Sequence, residues 1–204
     1  MVQNKFNFCP DCGSKKIKTL NKGQKWLCSD CGFCLYNCIA GGVGVLIQNK
    51  NGEILLEKRA KEPRRGAFVY PGGFVNANET AEEACKRECF EECGIEIFDL
   101  KYLCSFPNTY EYKNVKYKTC DIFFTARISE DARLKAQKSE VTEFIWKKLP
   151  ELSEIESLNL AFESTKKTME FFLKQKKRHT NSCAENFNRS FEEEILLSDE
   201  TKWL

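Results

Sequence analysis

Histidine is almost missing from this chain of 204 residues: its one copy, His179, has no acid or base partner in its setting, so no catalytic duty is assigned to it. A surplus of either charge is missing too. Lys plus Arg number 32 against 30 for Asp plus Glu, a net charge of +2, which gives no global attraction for nucleic acid or membrane. Recognition must therefore be local. The opening MVQNKFNFCPDCG has no apolar core of the signal-peptide kind and enters a cysteine motif at once, which points to a cytoplasmic chain rather than an exported one. Residues 32–49 carry no charge over 18 positions, a length that raises the question of a membrane span. Composition answers it, because Asn37, Gly41, Gly42, Gly44, Gln48 and Asn49 suit hydrocarbon poorly, whereas Val43 to Ile47 reads as a buried strand. No membrane partner is expected.

Cysteine, by contrast, is abundant, with twelve copies. Their placement argues against a disulfide framework: Cys9-x2-Cys12, fifteen residues, then Cys28-x2-Cys31 is the spacing of a zinc ribbon. Gly13 and Gly32 directly follow the pairs and suit tight turns, and four thiolates would close a tetrahedral Zn2+ site with no open position. Such zinc is structural, holding together a segment too short for a core of its own. Cys34 and Cys38 are alternative ligands or core thiols. Cys85, Cys89 and Cys93 recur every four residues and read as packing. Cys104, Cys120 and Cys183 carry no spacing argument. The length suits one core of about 130–150 residues plus one small module. The expected division is a ribbon over 1–38, a larger domain over 39–175 and a tail over 176–204.

The densest signal is GFVNANETAEEACKRECFEECGI, residues 73–95. On a helix turning about 100° per residue, Glu88, Glu91 and Glu92 fall within roughly 100° of arc, together with the small residues Ala81, Ala84 and Cys85. Like charges at this spacing repel, and no Lys or Arg shares the patch, so the carboxylates need an offsetting cation or a purpose, the alternative being a solvated acidic face. Hard oxygen donors gathered in a cleft suit Mg2+ or Mn2+ bound against substrate phosphates. Arg87 can reach Glu83 or Glu91 one turn away, or Glu79 near the helix start, bracing the loop that leads in.

This run resembles the Nudix box, GX5EX7REUXEEXGU, with Gly73, Glu79, Arg87, Glu88, Glu91, Glu92, Gly94 and Ile95 at every fixed position and the small Cys89 where a larger aliphatic is usual. The resemblance implies a loop, helix, loop unit whose glutamates hold divalent metal against a diphosphate. It also implies a hydrolase that cleaves a nucleoside diphosphate linked to another group.

Around the box, VGVLIQ and EILLEKRA read as strands of a hairpin turning at Asn51-Gly52. Phe68 to Tyr70, Ile95 to Ser105, Lys116 to Ile128 and Phe144 to Trp146 read as further strands, and Glu79 to Cys93 as the box helix. Leu158 to Lys174 reads as a second helix with Leu158, Phe162, Thr165 and Met169 as a core stripe. Strands mixed with two helices predict an α/β class, an α/β/α sandwich on a mixed sheet as in the Nudix family, preceded by the zinc ribbon. The basic run KQKKRH reads as a solvated helix end, and Phe187, Phe191 and Ile195 share a helical face that can fold back on the core.

A four-cysteine ribbon followed by a Nudix domain also resembles the NAD(H) diphosphatases. In that family Ser-Gln-Pro-Trp-Pro-Phe-Pro follows the box; here the place reads Ser105-Phe106-Pro107-Asn108-Thr109-Tyr110-Glu111, which keeps the Ser, the first Pro and an aromatic. Phe106, Tyr110 or Tyr112 can stack on an adenine or nicotinamide ring. The resemblance further implies an acid downstream of the box, and Glu140 fits, with Glu143 as competitor. The mechanism expected has Glu88 and Glu92 on Mg2+ or Mn2+, Glu91 sharing a further ion, and Glu92 or Glu140 taking the proton of the attacking water. Arg59, Arg64 or Arg65 can clamp a phosphate or terminal ribose. NADH, NAD+ or ADP-ribose are the candidate substrates, with NAD-capped RNA a further candidate partner and a homodimer left open. The competing reading is a non-catalytic adaptor that binds nucleotide or RNA.

Overall fold

The computed structural model describes residues 6–113 and 115–178, and for Tyr112 the backbone only. The expectations for His179, Cys183, Phe187, Phe191 and Ile195, and for the Tyr112 ring, lie outside the described residues. The first unit is a three-stranded antiparallel meander, β1 (Ile17–Leu20), β2 (Lys25–Cys28) and β3 (Cys34–Tyr36). Among the described residues its only large buried side chain is Trp26, met edge-on by Phe6 at 4.9 Å between ring centroids. That is little apolar cover for a fold, so the cysteines must do more of the holding.

The second sheet contains β4 (Ala40–Gln48), β5 (Ile54–Arg59), β6 (Phe68–Val69), β7 (Phe98–Tyr112), β8 (Val115–Arg127) and β9 (Val141–Lys147). It runs β6-β5-β4-β8-β7, with β9 on the other edge of β5. Strands β4 and β8 are parallel and the other pairs antiparallel, so the sheet is mixed. Alternation along β4 explains the layering: Val43, Val45 and Ile47 face helix α1 (Ala81–Cys93), while Leu46 faces the second helix, α2, over residues 163–178. Ala84, Cys85, Cys89 and Cys93 fill the first core, as small packing residues. Met169, Phe172 and Leu173 fill the second with Tyr70 and Phe123. This is the α/β/α sandwich expected of the chain. No helix among the described residues is long and apolar enough to cross a membrane.

Two expectations are corrected. The hairpin turns at Asn51-Gly52, with Asn49 Oδ1 accepting the N–H groups of Asn51 and Glu53, but β4 and β5 share only the pair Gln48 and Ile54 before they splay apart. The reason is that another segment takes the β4 edge: Val43 N–H donates to Gly73 O, Val45 N–H to Pro71 O, and Val75 N–H to Gly41 O. The second helix also starts later than its pattern suggested. Residues 152–158 form a 3-10 turn, so Leu158 packs from that turn, and Phe162 precedes α2 instead of lying within it. Thr165 and Met169 are buried as read. Lys174, Lys176, Lys177 and Arg178 are exposed on the last described turn, a solvated end.

Candidate active site

The segment wedged between β4 and β5 leads into α1, and its conformation depends on Arg87. The guanidinium grips Glu79 with Nε at 3.0 Å and Nη2 at 2.6 Å, donates from Nη2 to Phe74 O at 3.1 Å, and from Nη1 to Glu88 at 2.8 Å and Glu91 at 3.2 Å. Arginine is suited to this because its planar fork donates in several fixed directions. Arg87, and also Asn76 N–H, hold the Glu79 carboxyl down at about 2, well below its usual range. One expectation fails here, while two of the three partners offered for Arg87, Glu79 and Glu91, are engaged. Arg87 does share the acidic patch, because its long arm folds across the helix face to Glu88. It does not reach Glu83, whose carboxylate accepts Thr80 N–H at 2.8 Å while Thr80 Oγ1 accepts Glu83 N–H, a closed capping box at the helix start.

Glycine is required on both sides of the helix. A Cβ on Gly73 would stand 2.4 Å from Glu88 Oε1, and Gly94 closes α1 at φ +67, its N–H donating to Cys89 O and Phe90 O.

Glu88, Glu91 and Glu92 line a cavity of about 340 Å3. Glu92 is buried and its Oε2 accepts Gly72 N–H at 2.9 Å; burial nonetheless pushes its carboxyl up to about 8, with Glu88 and Glu140 adding repulsion. Burial also raises Glu88 against the pull of Arg87. Glu57 on β5 is buried beside them, raised by burial and then by the charge of Glu92, with only the Cys93 thiol as donor at 3.9 Å. Acids desolvated and repelling in this way are the environment that a bound divalent cation would relieve, and the donors are the hard oxygens such a cation prefers. The donor chemistry fits the ion, although among the described residues only the four ribbon cysteines bring three or more ligand atoms within 4.8 Å of one another, and Glu88 and Glu91 are held on Arg87. Glu140 joins them because its loop is tied to the end of α1: Gln137 N–H donates to Glu92 O and Lys135 N–H to Cys93 O. Lys61 pairs with Glu140 at 2.5 Å, and Arg59 lines the same cavity. Glu143 is instead exposed and pairs with Lys58 across the strands.

Beyond Gly72-Gly73 the cavity continues over the α2 face of the sheet. Tyr110 stands between Phe74 and Phe162, at 5.3 and 5.8 Å between centroids, and the Arg59 guanidinium lies 5.2 Å from the Phe162 ring. Asn108, Thr119, Asp121 and Ser164 supply the polar floor and wall.

The cysteine motif folds as read. Cys9 O accepts Gly13 N–H, Cys28 O accepts Gly32 N–H, and the two turns bring four sulfurs within 4.8 Å of one another. The Cys9 and Cys31 sulfurs are 3.6 Å apart and those of Cys12 and Cys28 3.7 Å. A tetrahedron with metal to sulfur bonds of about 2.3 Å has edges of about 3.8 Å, so the cluster is compatible with zinc. Cys34 and Cys38 stand outside this group; half-buried and exposed respectively, they are not core thiols either.

Of the residues singled out in the sequence, Glu88, Glu91, Glu92, Glu140, Arg59 and Tyr110 therefore meet around one cavity. Phe106 does not: it points to α2 and packs against Phe171. Arg64 lines a neighbouring groove and Arg65 is exposed. Glu57, Lys61, Asn108, Thr119 and Asp121 went unread as site residues, and Phe162, read as core, lines the cavity. Asp121 and Glu57 had a signal, since each is a lone acid two residues from a core side chain on the same strand face, Phe123 and Leu55.

A family model described as NUDIX domain matches residues 39–170, and the chain belongs to that family. In sequence it is similar to the NAD-capped RNA hydrolase NudC of Haemophilus influenzae (strain PittGG), 32% identical over 151 residues, covering 71% of this chain and 54% of that protein. The chain thus spans about half the length of the curated relatives it matches. Among solved structures it is similar to the MutT protein from Methanosarcina mazei Go1, with a TM-score of 0.54, 27% identity, and coverage of 70% of this chain and 99% of that one. Its fold is also that of a NUDIX hydrolase from Nitrosomonas europaea, at a TM-score of 0.59 and 24% identity over 80% of this chain and 90% of that one.

Proposed function

We propose that this chain hydrolyses a nucleoside diphosphate linked to a second group, with NADH, NAD+ or ADP-ribose as the substrate class. The observation that carries this reading is the convergence of Glu88, Glu91 and Glu92 with Glu140 on one cavity that also holds cationic and aromatic side chains. Glu88 and Glu92 would hold Mg2+ or Mn2+, with Glu91 sharing a further ion. Bound there, such ions supply charge neutralisation at the diphosphate and a lowered pKa for water. Arg87 fixes Glu88 and Glu91 in place through its Nη1 contacts, and Gly73 leaves Glu88 its room. Water attacks one phosphorus, the bridging P–O bond breaks, and Glu140 or Glu92 takes the proton on a carboxylate oxygen. Arg59 and Lys61 face the leaving phosphate, and Tyr110 stacks on a ring of the substrate.

In this reading residues 1–38 are a ribbon held by Zn2+ on Cys9, Cys12, Cys28 and Cys31, and residues 39–175 are the hydrolase. All eleven described cysteines are free, which suits the reducing cytoplasm. The similarity to proteins named NAD-capped RNA hydrolase favours a second reading, in which the nucleotide is the cap of an RNA. A panel of NADH, NAD+, ADP-ribose, a diadenosine polyphosphate, CoA, oxidised dGTP and NAD-capped RNA, each with Mg2+ and with Mn2+, tests both. Release of two phosphate monoesters from at least one is the expected result. Binding without any cleavage would establish the adaptor instead.

A further inference from the structure

The cavity reaches well past the carboxylates, and its far end holds polar groups that the hydrolytic chemistry does not use. On β8 the side chains of Thr119, Asp121 and Phe123 share the α2 face. They lie over β4 at Ala40, Gly42 and Gly44, and the two glycines leave space above the sheet: a Cβ on Gly42 would stand 2.9 Å from Asp121 Oδ1. Asp121 Oδ2 accepts both Asn108 Nδ2, at 2.9 Å, and Ser164 Oγ, at 2.6 Å, so the carboxylate is pinned between β7 and the first turn of α2. No donor among the described residues reaches Oδ1. Beside it, the Thr119 hydroxyl is buried, with the residue 4% exposed, lines the same cavity and has no hydrogen-bond partner among the described residues. A buried hydroxyl left unpaired is costly, and in a cavity wall it marks a place where a ligand completes the bond.

We propose that Asp121 and Thr119 form a base-reading edge at the α2 end of the cavity. The acceptor Oδ1 takes an N–H of a planar heteroaromatic ring, the Thr119 hydroxyl donates to an acceptor next to it, and the rings of Tyr110, Phe74 and Phe162 cover its faces. The chemistry required is an amino or carboxamide NH2 beside a ring nitrogen or carbonyl oxygen, which adenine and nicotinamide both carry. This inference deepens the reading of the cavity as a nucleoside diphosphate site and rests on it.

The test uses binding, so that it stands apart from turnover. Calorimetric titration of the full chain would compare two pairs of mononucleotides that keep sugar and phosphate constant and lose the N–H2 group, the first by exchange for a carboxylate oxygen and the second by deletion. These are nicotinamide against nicotinic acid mononucleotide, and AMP against purine riboside monophosphate. The wild type is expected to prefer the N–H2 member of at least one pair by roughly 10- to 100-fold, the worth of a hydrogen bond to a charged group. In Asp121→Asn the carbonyl keeps Asn108 and Ser164 while an amide NH2 replaces the free acceptor, so that preference should fall by about tenfold or more. Thr119→Val, which removes the unpaired hydroxyl at constant shape, should weaken both members of the preferred pair by a few fold with no loss of melting temperature. Discrimination retained without hydrolysis of any diphosphate would sink the hydrolytic reading and uphold this one. Hydrolysis by a wild type that treats both members of each pair alike, or a ratio untouched by Asp121→Asn, overturns the base-reading edge alone.

Discussion

The four thiols and the four carboxyl groups are both sets of candidate metal donors, yet they differ in closure. The sulfurs of Cys9, Cys12, Cys28 and Cys31 face one another within 4.8 Å across two short turns, which leaves no side open to a ligand. The carboxylates of Glu88, Glu91, Glu92 and Glu140 instead edge a cavity of about 340 Å3 that continues past them into aromatic and polar walls. A closed donor set suits an ion that holds a fold together, and an open one suits an ion that meets a substrate. The energetics differ in the same sense. The ribbon buries so little apolar surface that its ion would carry its folding, whereas the sheet domain has two cores, one on each face.

The sharpest way to break this contrast is to remove the ribbon's ion. Chelation, or Cys28→Ser, should abolish amide exchange protection over β1 to β3, an effect of roughly 10 kcal/mol on that unit, while α1 and β4 keep theirs. Loss of protection in both units together would show that one cannot stand without the other. Next in size is Gly73→Ala, whose Cβ would displace the Glu88 carboxylate: turnover should fall roughly 100-fold, with little change in melting temperature.

Arg87→Met probes the brace between loop and helix. It should cost roughly 1–3 kcal/mol in denaturant titration, the scale of lost hydrogen bonds between charged groups. It should also change the acid limb of stability. Glu79 is held at about 2 against an ordinary 4.5, so its contribution is present above pH 4.5 and is lost as pH falls toward 2. In Arg87→Met the larger cause of that lowering is gone and only the share held by Asn76 N–H is left, so most of the contribution goes with it. The smallest effect belongs to Thr80→Ala, which opens the capping box: about 1 kcal/mol of stability, with kcat unchanged.

What could be read from the sequence follows from how each site is assembled. Both cysteine pairs carry their own turn, with Gly13 and Gly32 at positive φ, so spacing was enough to bring the sulfurs together. Glu88, Glu91 and Glu92 share a helix face by period alone. The capping box at Thr80 and Glu83 was equally local; of the three partners offered for Arg87, Glu79 and Glu91 are engaged and Glu83 is kept by the helix start. Everything in the far half of the cavity depends on pairing between strands. Asn108 meets Thr119 only through the register of β7 on β8, and Gly42 meets Asp121 only through the parallel register of β4 on β8. Neither register is encoded by local pattern. Phe106 was read as a stacking ring beside Tyr110; it shares the β7 face of Asn108 and Tyr110 but lies further along the strand, where it packs on Phe171.

The most direct test is steady-state hydrolysis of NADH, NAD+ and ADP-ribose with Mg2+ or Mn2+ by the wild type and by Glu92→Gln. The account expects turnover of at least one of them by the wild type. In the variant, turnover should drop by roughly 100- to 10,000-fold with the melting temperature kept. Full turnover in Glu92→Gln on every substrate the wild type cleaves would contradict it.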